Sequence, residues 1–409
     1  MNKFLKEFKD RGFFYQCTNE DGLSKLLDKE KINVYIGFDC TAESLHVGSL
    51  LQIMCLRLLQ KHGHRPIVLL GDGTTRIGDP SGKDKTRKIL TEKEIDKNNK
   101  NIAKILKKFL DVKNSKTKPI FVNNYSWLKN LNYISFLRDI GKHFTINKML
   151  SFDSVKSRLD REQSLSYMEF NYMILQAYDF LELNKKKNCS LQIGGSDQWG
   201  NIVNGVELIK RSSNKQAYGL TTPLITLASG TKMGKTESGA IWLDKNFLSP
   251  YDYWQFWRNT DDRDVLKFLK FFTDIEITEI NNFQNKDINE LKILLANKTT
   301  AMLHGNEAAQ NSELAAKEAF SSGPIGINLL SVKINLKTLE KQISIVDLII
   351  LSKLENSKSE IRRLIKGNAI KINDNIIDNE KFTIKIGLFT KNYLKLSIGK
   401  KRHIKIELI

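Results

Sequence analysis

His46 and Gly48 stand two residues apart, just past a strand-like run (Val34–Phe38, VYIGF) and a short loop (Asp39–Leu45), at the start of a helix-forming stretch, His46–His62, that Gly63 stops. The N-terminus of a helix offers unpaired N–H groups and a partial positive charge, which suits a phosphate. His46 adds a side-chain donor there, and Gly48 lets a nucleotide reach the backbone. Further along, Thr231–Thr236 (TKMGKT) carries Lys232 and Lys235, three apart on a glycine-containing loop. Such a loop can close over a triphosphate and neutralise charge on departing phosphates. A third segment, Asn171–Leu183 (NYMILQAYDFLEL), is helical by composition and almost wholly apolar. Tyr172, Gln176 and Asp179 fall within it at i, i+4 and i+7, in one stripe of what should be a buried helix. Unpaired burial costs on the order of 1–3 kcal/mol per polar group, so the stripe is either satisfied internally or lines a pocket for a polar ligand. Tyr35, on the strand ahead of the His46 loop, can face the same pocket. Taken singly, each segment also has an ordinary reading: a capping histidine, a solvated lysine loop, a structural polar network.

The elements that must position these groups follow from pattern. Val34–Phe38 and Pro66–Gly71 read as buried strands joined by the His46–His62 helix, a parallel crossover unit. Ligands of such sheets bind beyond the carboxyl ends of the strands, where the loops Asp39–Leu45 and Asp72–Lys83 should open. Thr91 to about Leu183 reads as long helical and mixed structure, and Ser190–Ile193 as a strand running into the turn Gly194–Gln198. Gly219–Asp244 reads as a loop, and Tyr251 to about Phe320 as helices. Ser321–Ile327 (SSGPIGI) is punctuated like a linker. From Ile343 a separate small unit begins. In it Ser357–Glu360 fits a capping box opening a helix with Ile361, Leu364 and Ile365 on its apolar face, Arg362, Arg363 and Lys366 elsewhere, and Gly367 at its end. Ala369–Asn373 alternates like a strand that turns at Asp374–Asn375, and basic residues crowd Lys391–Lys405.

At 409 residues two or three domains are expected, and 41% hydrophobic content suffices for real cores. No apolar run approaches a bilayer span. Met1–Phe14 reads as an amphipathic opening helix without a secretory signal's apolar stretch. The four cysteines are scattered, with no metal-type spacing; a reduced, cytoplasmic protein without structural zinc or membrane attachment is expected. A net charge of +19 suits a polyanionic partner, although a lysine-rich composition alone gives the same sum. Its clustering in the last unit favours RNA phosphates.

Together and in this order, the His46 and Lys232 segments resemble the HIGH and KMSKS elements of class I aminoacyl-tRNA synthetases. Ser49 stands where that family often has a second histidine, Gly234 where it has serine, and Cys40 where proline is common. With Gly71–Lys83 (GDGTTRIGDPSGK), Leu191–Asn201 (LQIGGSDQWGN) and the polar stripe, essentially the whole chain resembles the bacterial-type tyrosyl-tRNA synthetases. The resemblance implies an α/β fold: a Rossmann-type parallel-sheet catalytic domain over 1–225, with a helical connective insertion at about 120–188. It further implies an α-helical anticodon-side domain with the KMSKS-like loop over 226–325, a linker over 326–342, and an α+β S-four-type RNA-binding domain over 343–409. Tyrosine would be held by Tyr35 and Asp179 at its phenol and by Tyr172, Gln176 and Asp79 at its ammonium, with Gln198, and less directly Gln192, near its carboxylate. Asp39, His46, Gly48, Gly195, Asp197 and Lys235 would contact ATP. Lys83, Arg87, Lys232 and Lys235 would grip the leaving pyrophosphate, with Mg²⁺ on the phosphates. Arg362, Arg363 and Lys366 would meet tRNA(Tyr). The family's homodimeric assembly implies a second copy, with the interface near Asn123–Asn147.

Overall fold

In the computed structural model the described residues are 2–79, 90–230, 233–236, 239–321, 331–335, 343–355, 357–389, 393–399 and 402–408. The chain divides into two compact units, Met1–Asn306 and Glu307–Ile409.

The first unit is built on a six-stranded sheet. In chain order its strands are β1 (Gln16–Cys17), β2 (Asn33–Asp39), β3 (Arg65–Gly71), β4 (Ile120–Asn123), β5 (Cys189–Gly195) and β6 (Tyr218–Thr222). They lie in the order β1-β6-β5-β2-β3-β4, parallel except for β1, which pairs antiparallel with β6. Strands buried on both faces read as continuous apolar runs, and the VYIGF and PIVLLG segments do so. The chain leaves β2 towards β3 on one side and later returns to β5 on the other. Beyond the carboxyl ends of β2 and β5 the strand order reverses, which is where open α/β sheets hold ligands.

Three local readings are corrected. The helix after the Asp39–Leu45 loop opens with a 3₁₀ turn, Val47–Ser49, and becomes α-helical over Leu50–Lys61. Gly219–Asp244 is not all loop, because β6 occupies its start; Tyr218–Thr222 is buried throughout. β4, placed by sequence at the start of the helical insertion, is an edge strand of the sheet, so helical structure resumes only after Asn123.

The N-terminal helix Lys3–Asp10 seats Phe4, Leu5 and Phe8 in the core. Beyond it Arg11, 4% exposed, donates to the carbonyls of Lys270 (3.0 Å), Thr273 (2.9 Å) and Ile275 (3.0 Å), where the Asp262–Phe272 helix ends. One guanidinium thus closes a helix C-terminus and ties the helical region, Pro250 to His304, to the start of the chain. Arg11→Met should lower unfolding stability by about 3 kcal/mol or more, since three buried carbonyls lose a charged donor. A urea midpoint equal to that of the unaltered chain would contradict this.

The second unit has its own core, including Ile345, Leu348, Ile361, Ile370, Leu394 and Ile406. Its five-stranded sheet runs in the order Asn375–Ile376, Ile370–Ile372, Tyr393–Ile398, Arg402–Leu408, Ser331–Ile334, and the last pair is parallel. The Ser331–Ile334 strand lies inside the stretch expected to be linker, so residues 326–342 are not linker throughout; residues 322–330, which include most of SSGPIGI, lie outside the described residues. Ser357 caps the Lys358–Lys366 helix by accepting from Glu360 N–H, but its own N–H bonds Glu355 rather than Glu360, so the box is half-formed. The hairpin turns on Asn373 and Asp374, both at positive φ (48° and 65°), one residue earlier than expected.

Candidate active site

The buried end of the candidate site is built from β2 and the Tyr167–Lys187 helix. A capping box of Ser166 and Glu169 starts that helix, and a buried Arg158–Glu169 pair (3.0 Å) fixes its first turn. Asp179 lies on its inner face, 1% exposed. Its carboxylate accepts from Trp127 Nε1 (2.7 Å) and Asn124 Nδ2 (2.9 Å). Burial raises the Asp179 pKa; these two donors pull it back, and the balance leaves it at about 7. Tyr35, 1% exposed, packs its ring on Phe180. Among the described residues its hydroxyl has no hydrogen-bond partner. Burial, and then the nearby Asp179 charge, push that hydroxyl's pKa up, so it stays a donor. An orphaned buried hydroxyl beside a carboxylate is costly unless a ligand completes it.

From Asp179 a chain of hydrogen bonds leads to Asp39, at the carboxyl end of β2. Asn124 Nδ2 also donates to Thr74 Oγ1 (3.1 Å), Thr74 donates to Asp39 Oδ1 (2.9 Å), and Tyr172 donates to Asp39 Oδ2 (3.0 Å). A second cluster lies alongside. Gln198 Nε2 donates to Asp79 (2.9 Å), and Asn201 Nδ2 donates to both Gln176 (3.0 Å) and Gln198 (3.1 Å). Asp39, Tyr172 and Asp179 thus fall in one hydrogen-bonded network and Asp79, Gln176 and Gln198 in a second alongside it, with Tyr35 outside both but close enough to feel the Asp179 charge. Gln192 is buried beside Tyr35 in the β2–β5 register, with its Oε1 unpartnered among the described residues. Sequence reasoning missed Thr74, Asn124, Trp127 and Asn201. Thr74 and Asn201 lay inside quoted segments; Asn124 and Trp127 sit in a stretch with no periodic signal.

At the phosphate side His46 Nδ1 accepts from Gly48 N–H (3.0 Å). Its ring therefore takes the tautomer with hydrogen on Nε2, and the Gly48 amide, expected to be open to a nucleotide, is already capped. A Cβ on Gly48 would lie 2.6 Å from His46 Cε1 and 3.1 Å from the Met233 carbonyl. The segment after the lysine loop is stitched to this turn: Val47 N–H bonds Ile241 O (2.9 Å), Leu243 N–H bonds Leu45 O (2.9 Å), and Asp244 N–H bonds Ser44 Oγ (3.1 Å). Gly234 sits at φ +103°, and a Cβ there would meet His46 Nδ1 at 2.8 Å. The departure from serine at this position thus has a steric reason. Gly234→Ser should cut the rate of adenylate formation roughly 10- to 100-fold through backbone strain while leaving the KM for tyrosine nearly unchanged. An unaltered rate would show that this approach is irrelevant to the reaction.

Gly195 ends β5 beside Asp197, whose Oδ1 would lie 2.6 Å from a Cβ on Gly195. Lys83, Arg87 and Lys232 lie outside the described residues, and Lys235 is placed only by its backbone, in a two-residue strand paired with Gly239–Ala240. In the second unit Arg362 and Arg363 are exposed and pair with Glu380 (3.2 Å) and Glu360 (3.1 Å); Lys366 is exposed on the same helix.

Residues 27–321 match the family of tRNA synthetases class I (W and Y). A tyrosine–tRNA ligase of Pelagibacter ubique is 77% identical over 409 residues, covering 100% of both chains. One from Wolbachia pipientis is 53% identical, covering 99% of this chain and 98% of its own. A C-terminally truncated mitochondrial tyrosyl-tRNA synthetase of Aspergillus nidulans superposes with a TM-score of 0.70 at 30% identity, over 78% of this chain and 94% of that one. With the family match over residues 27–321 and relatives of this kind along its whole length, the chain belongs to the class I tRNA synthetases, in their bacterial-type tyrosyl group.

Proposed function

We propose that the chain is a tyrosine–tRNA ligase: it activates L-tyrosine with ATP to tyrosyl-adenylate and pyrophosphate, then transfers the tyrosyl group to the terminal adenosine of tRNA(Tyr). The observation that carries this reading is the buried Tyr35 hydroxyl, without a hydrogen-bond partner among the described residues and close enough to feel the charge of Asp179, whose carboxylate is one hydrogen-bond chain away from Asp39.

The tyrosine carboxylate attacks the α-phosphorus of ATP, so the protein needs no nucleophile of its own. Its work is positioning and charge stabilisation. Tyr35 donates to the substrate phenol, which in turn donates to Asp179; Trp127 and Asn124 hold that carboxylate in place. Asp79 meets the α-ammonium with its charge, aided by Tyr172 and Gln176, and Gln198 lies by the carboxylate. Asp39 and Asp197 address the ribose side of ATP, Gly195 permits its close approach, and His46 Nε2–H with Gly48 faces the phosphates. ATP enters with its own Mg²⁺ as substrate. Lys83, Arg87, Lys232 and Lys235 stabilise pyrophosphate as it departs.

The second unit is read as an S-four-type RNA-binding domain in which Arg362, Arg363 and Lys366 meet tRNA phosphates. Residues 226–325, which include the KMSKS-like loop, are read as the anticodon-side helical domain. Two copies are read as pairing through the apolar surface around Tyr133 (58% exposed), Ile134 (71%), Ile146 (59%) and Tyr167 (65%), since apolar surface so exposed seeks a partner. Among the described residues no helix is long and apolar enough to cross a membrane, and the reaction is placed in the cytoplasm. The test is exchange of labelled pyrophosphate into ATP by the purified chain with each amino acid in turn. Tyrosine alone should support it; no exchange, with RNA binding retained, would reject the enzyme reading.

A further inference from the structure

The Glu92–Phe109 helix carries Lys93, Lys97, Lys100, Lys104 and Lys108 in steps of three or four residues, all on one exposed face. The opposite face is fixed. Ile95, Ile102, Leu106 and Phe109 are buried, Asn98 donates to the Cys40 carbonyl (2.8 Å), and Asn99 donates to Asp72 (2.9 Å). The helix therefore cannot roll. Lys97 is paired with Glu43 (2.8 Å), on the loop ahead of His46. Among the described residues no acid answers Lys100, Lys104 or Lys108.

In a lysine-rich chain a run of charge is ordinarily just solvated surface. Two features set this one apart. Several basic residues on other helices pair with an acid one turn away: Glu182–Lys186, Glu207–Arg211, Asp264–Lys267, Glu313–Lys317. Here the acids stop at Asp96, one turn before Lys100, and among the described residues no ion pair joins the two; Lys104 and Lys108 have no acid one turn back on the helix, and Lys100, Lys104 and Lys108 repel one another at i, i+4, which weakens a helix. The second feature is where the face leads. One end is anchored at the mouth of the site by Lys97–Glu43. Near the other end, Lys108 and Lys245 both act on His304, which burial and these two charges hold at about pKa 4. Lys245 belongs to the segment stitched onto the His46 turn. Two residues on, the exposed Phe247 ring lies against Trp242 (5.9 Å between centroids), and Trp242 lies against His46 (6.3 Å). Unpaired positive charge leading to an exposed aromatic at the catalytic mouth is the pairing with which proteins hold RNA ends: phosphates on lysines, bases on rings.

We propose that the Lys100–Lys104–Lys108 face, continued by Lys245 and Phe247, carries the sugar-phosphate backbone of the acceptor end of the RNA substrate and leads its last nucleotides to the His46 site. This rests on the ligase reading above and adds an RNA surface in the first unit, apart from Arg362, Arg363 and Lys366.

The test is the full-length triple variant Lys100→Gln, Lys104→Gln, Lys108→Gln, with the matching triple Lys→Arg variant. Glutamine keeps the helix propensity of lysine. Tyrosine-dependent pyrophosphate exchange should stay within about twofold of the unaltered chain. The KM for tRNA in aminoacylation should rise roughly tenfold or more, and its salt dependence should flatten by about one unit of log–log slope per lysine removed. The arginine variant should retain both values. An RNA hairpin comprising only the acceptor arm should show the same losses. An unchanged KM and salt slope, an arginine variant as impaired as the glutamine one, or an effect on whole tRNA that vanishes with the hairpin would each overturn the proposal. Failure of the ligase reading looks different: the unaltered chain would then support no exchange at all.

Discussion

Asp179→Ala raises the KM for tyrosine in pyrophosphate exchange about 100-fold or more and leaves the KM for ATP within a few-fold. The alanine removes the acceptor for the phenol and strands Trp127 Nε1 and Asn124 Nδ2, which now both donate to it; a lost charged hydrogen bond of roughly 3 kcal/mol corresponds to that factor. Tyr35→Phe has a different signature. The hydroxyl is buried without a hydrogen-bond partner among the described residues, so its removal should leave stability equal or raise it by about 1 kcal/mol. The same change should weaken tyrosine binding roughly 5- to 10-fold, as one neutral hydrogen bond is lost. Thermal unfolding with and without tyrosine separates the two effects: Tyr35→Phe should unfold no lower than the unaltered chain alone, yet gain less from tyrosine. Equal gains would contradict the assignment.

The same carboxyl sets a pH dependence. Below its pKa of about 7, Asp179 carries a proton on the oxygens to which the phenol must donate. Tyrosine binding then requires deprotonation, so the KM for tyrosine should fall about fivefold as pH rises from 6 to 7, and flatten above. Phenylalanine brings no hydroxyl, and its KM should not improve over this range. A tyrosine KM flat from pH 5.5 to 8 would contradict the assignment.

The second large effect concerns the two units. Ending the chain at Ser321 removes the whole sheet of the second unit, including the Ser331–Ile334 strand that pairs with Arg402–Leu408. A cut at Ile343 would strand it. Because Met1–Asn306 is compact by itself, adenylate formation should remain within about threefold. Charging of tRNA should fall about 100-fold, as the phosphate contacts proposed for the basic tail would be lost. Loss of both activities would make the tail a structural requirement of the catalytic unit, and loss of neither would remove it from RNA recognition.

How much of this was legible depends on how locally each feature is encoded. β2 and β3 were legible because doubly buried parallel strands are continuous apolar runs. β6 was not: Tyr218–Thr222 (YGLTT) is buried at every position yet contains a glycine and two threonines, so no apolar run announces it. β1 and β4 are short edge strands, and the tertiary context that makes them strands is remote. In the site, Tyr172, Gln176 and Asp179 stood out as polar residues in an apolar helix. Asn124 and Trp127 did not, because what defines them is contact with Asp179 across the chain. Gly234 shows the reverse. It was legible only as a departure from a motif, and its reason, a positive φ under the His46 ring, exists only in three dimensions.

The most direct measurement is a crystal structure of the full chain with a non-hydrolysable tyrosyl-adenylate. The phenolic oxygen should lie about 2.7 Å from both Tyr35 Oη and an Asp179 oxygen, with the phosphate over the His46–Gly48 turn. A ring bound elsewhere, with the Tyr35 hydroxyl still lacking a partner, would contradict the account at its root.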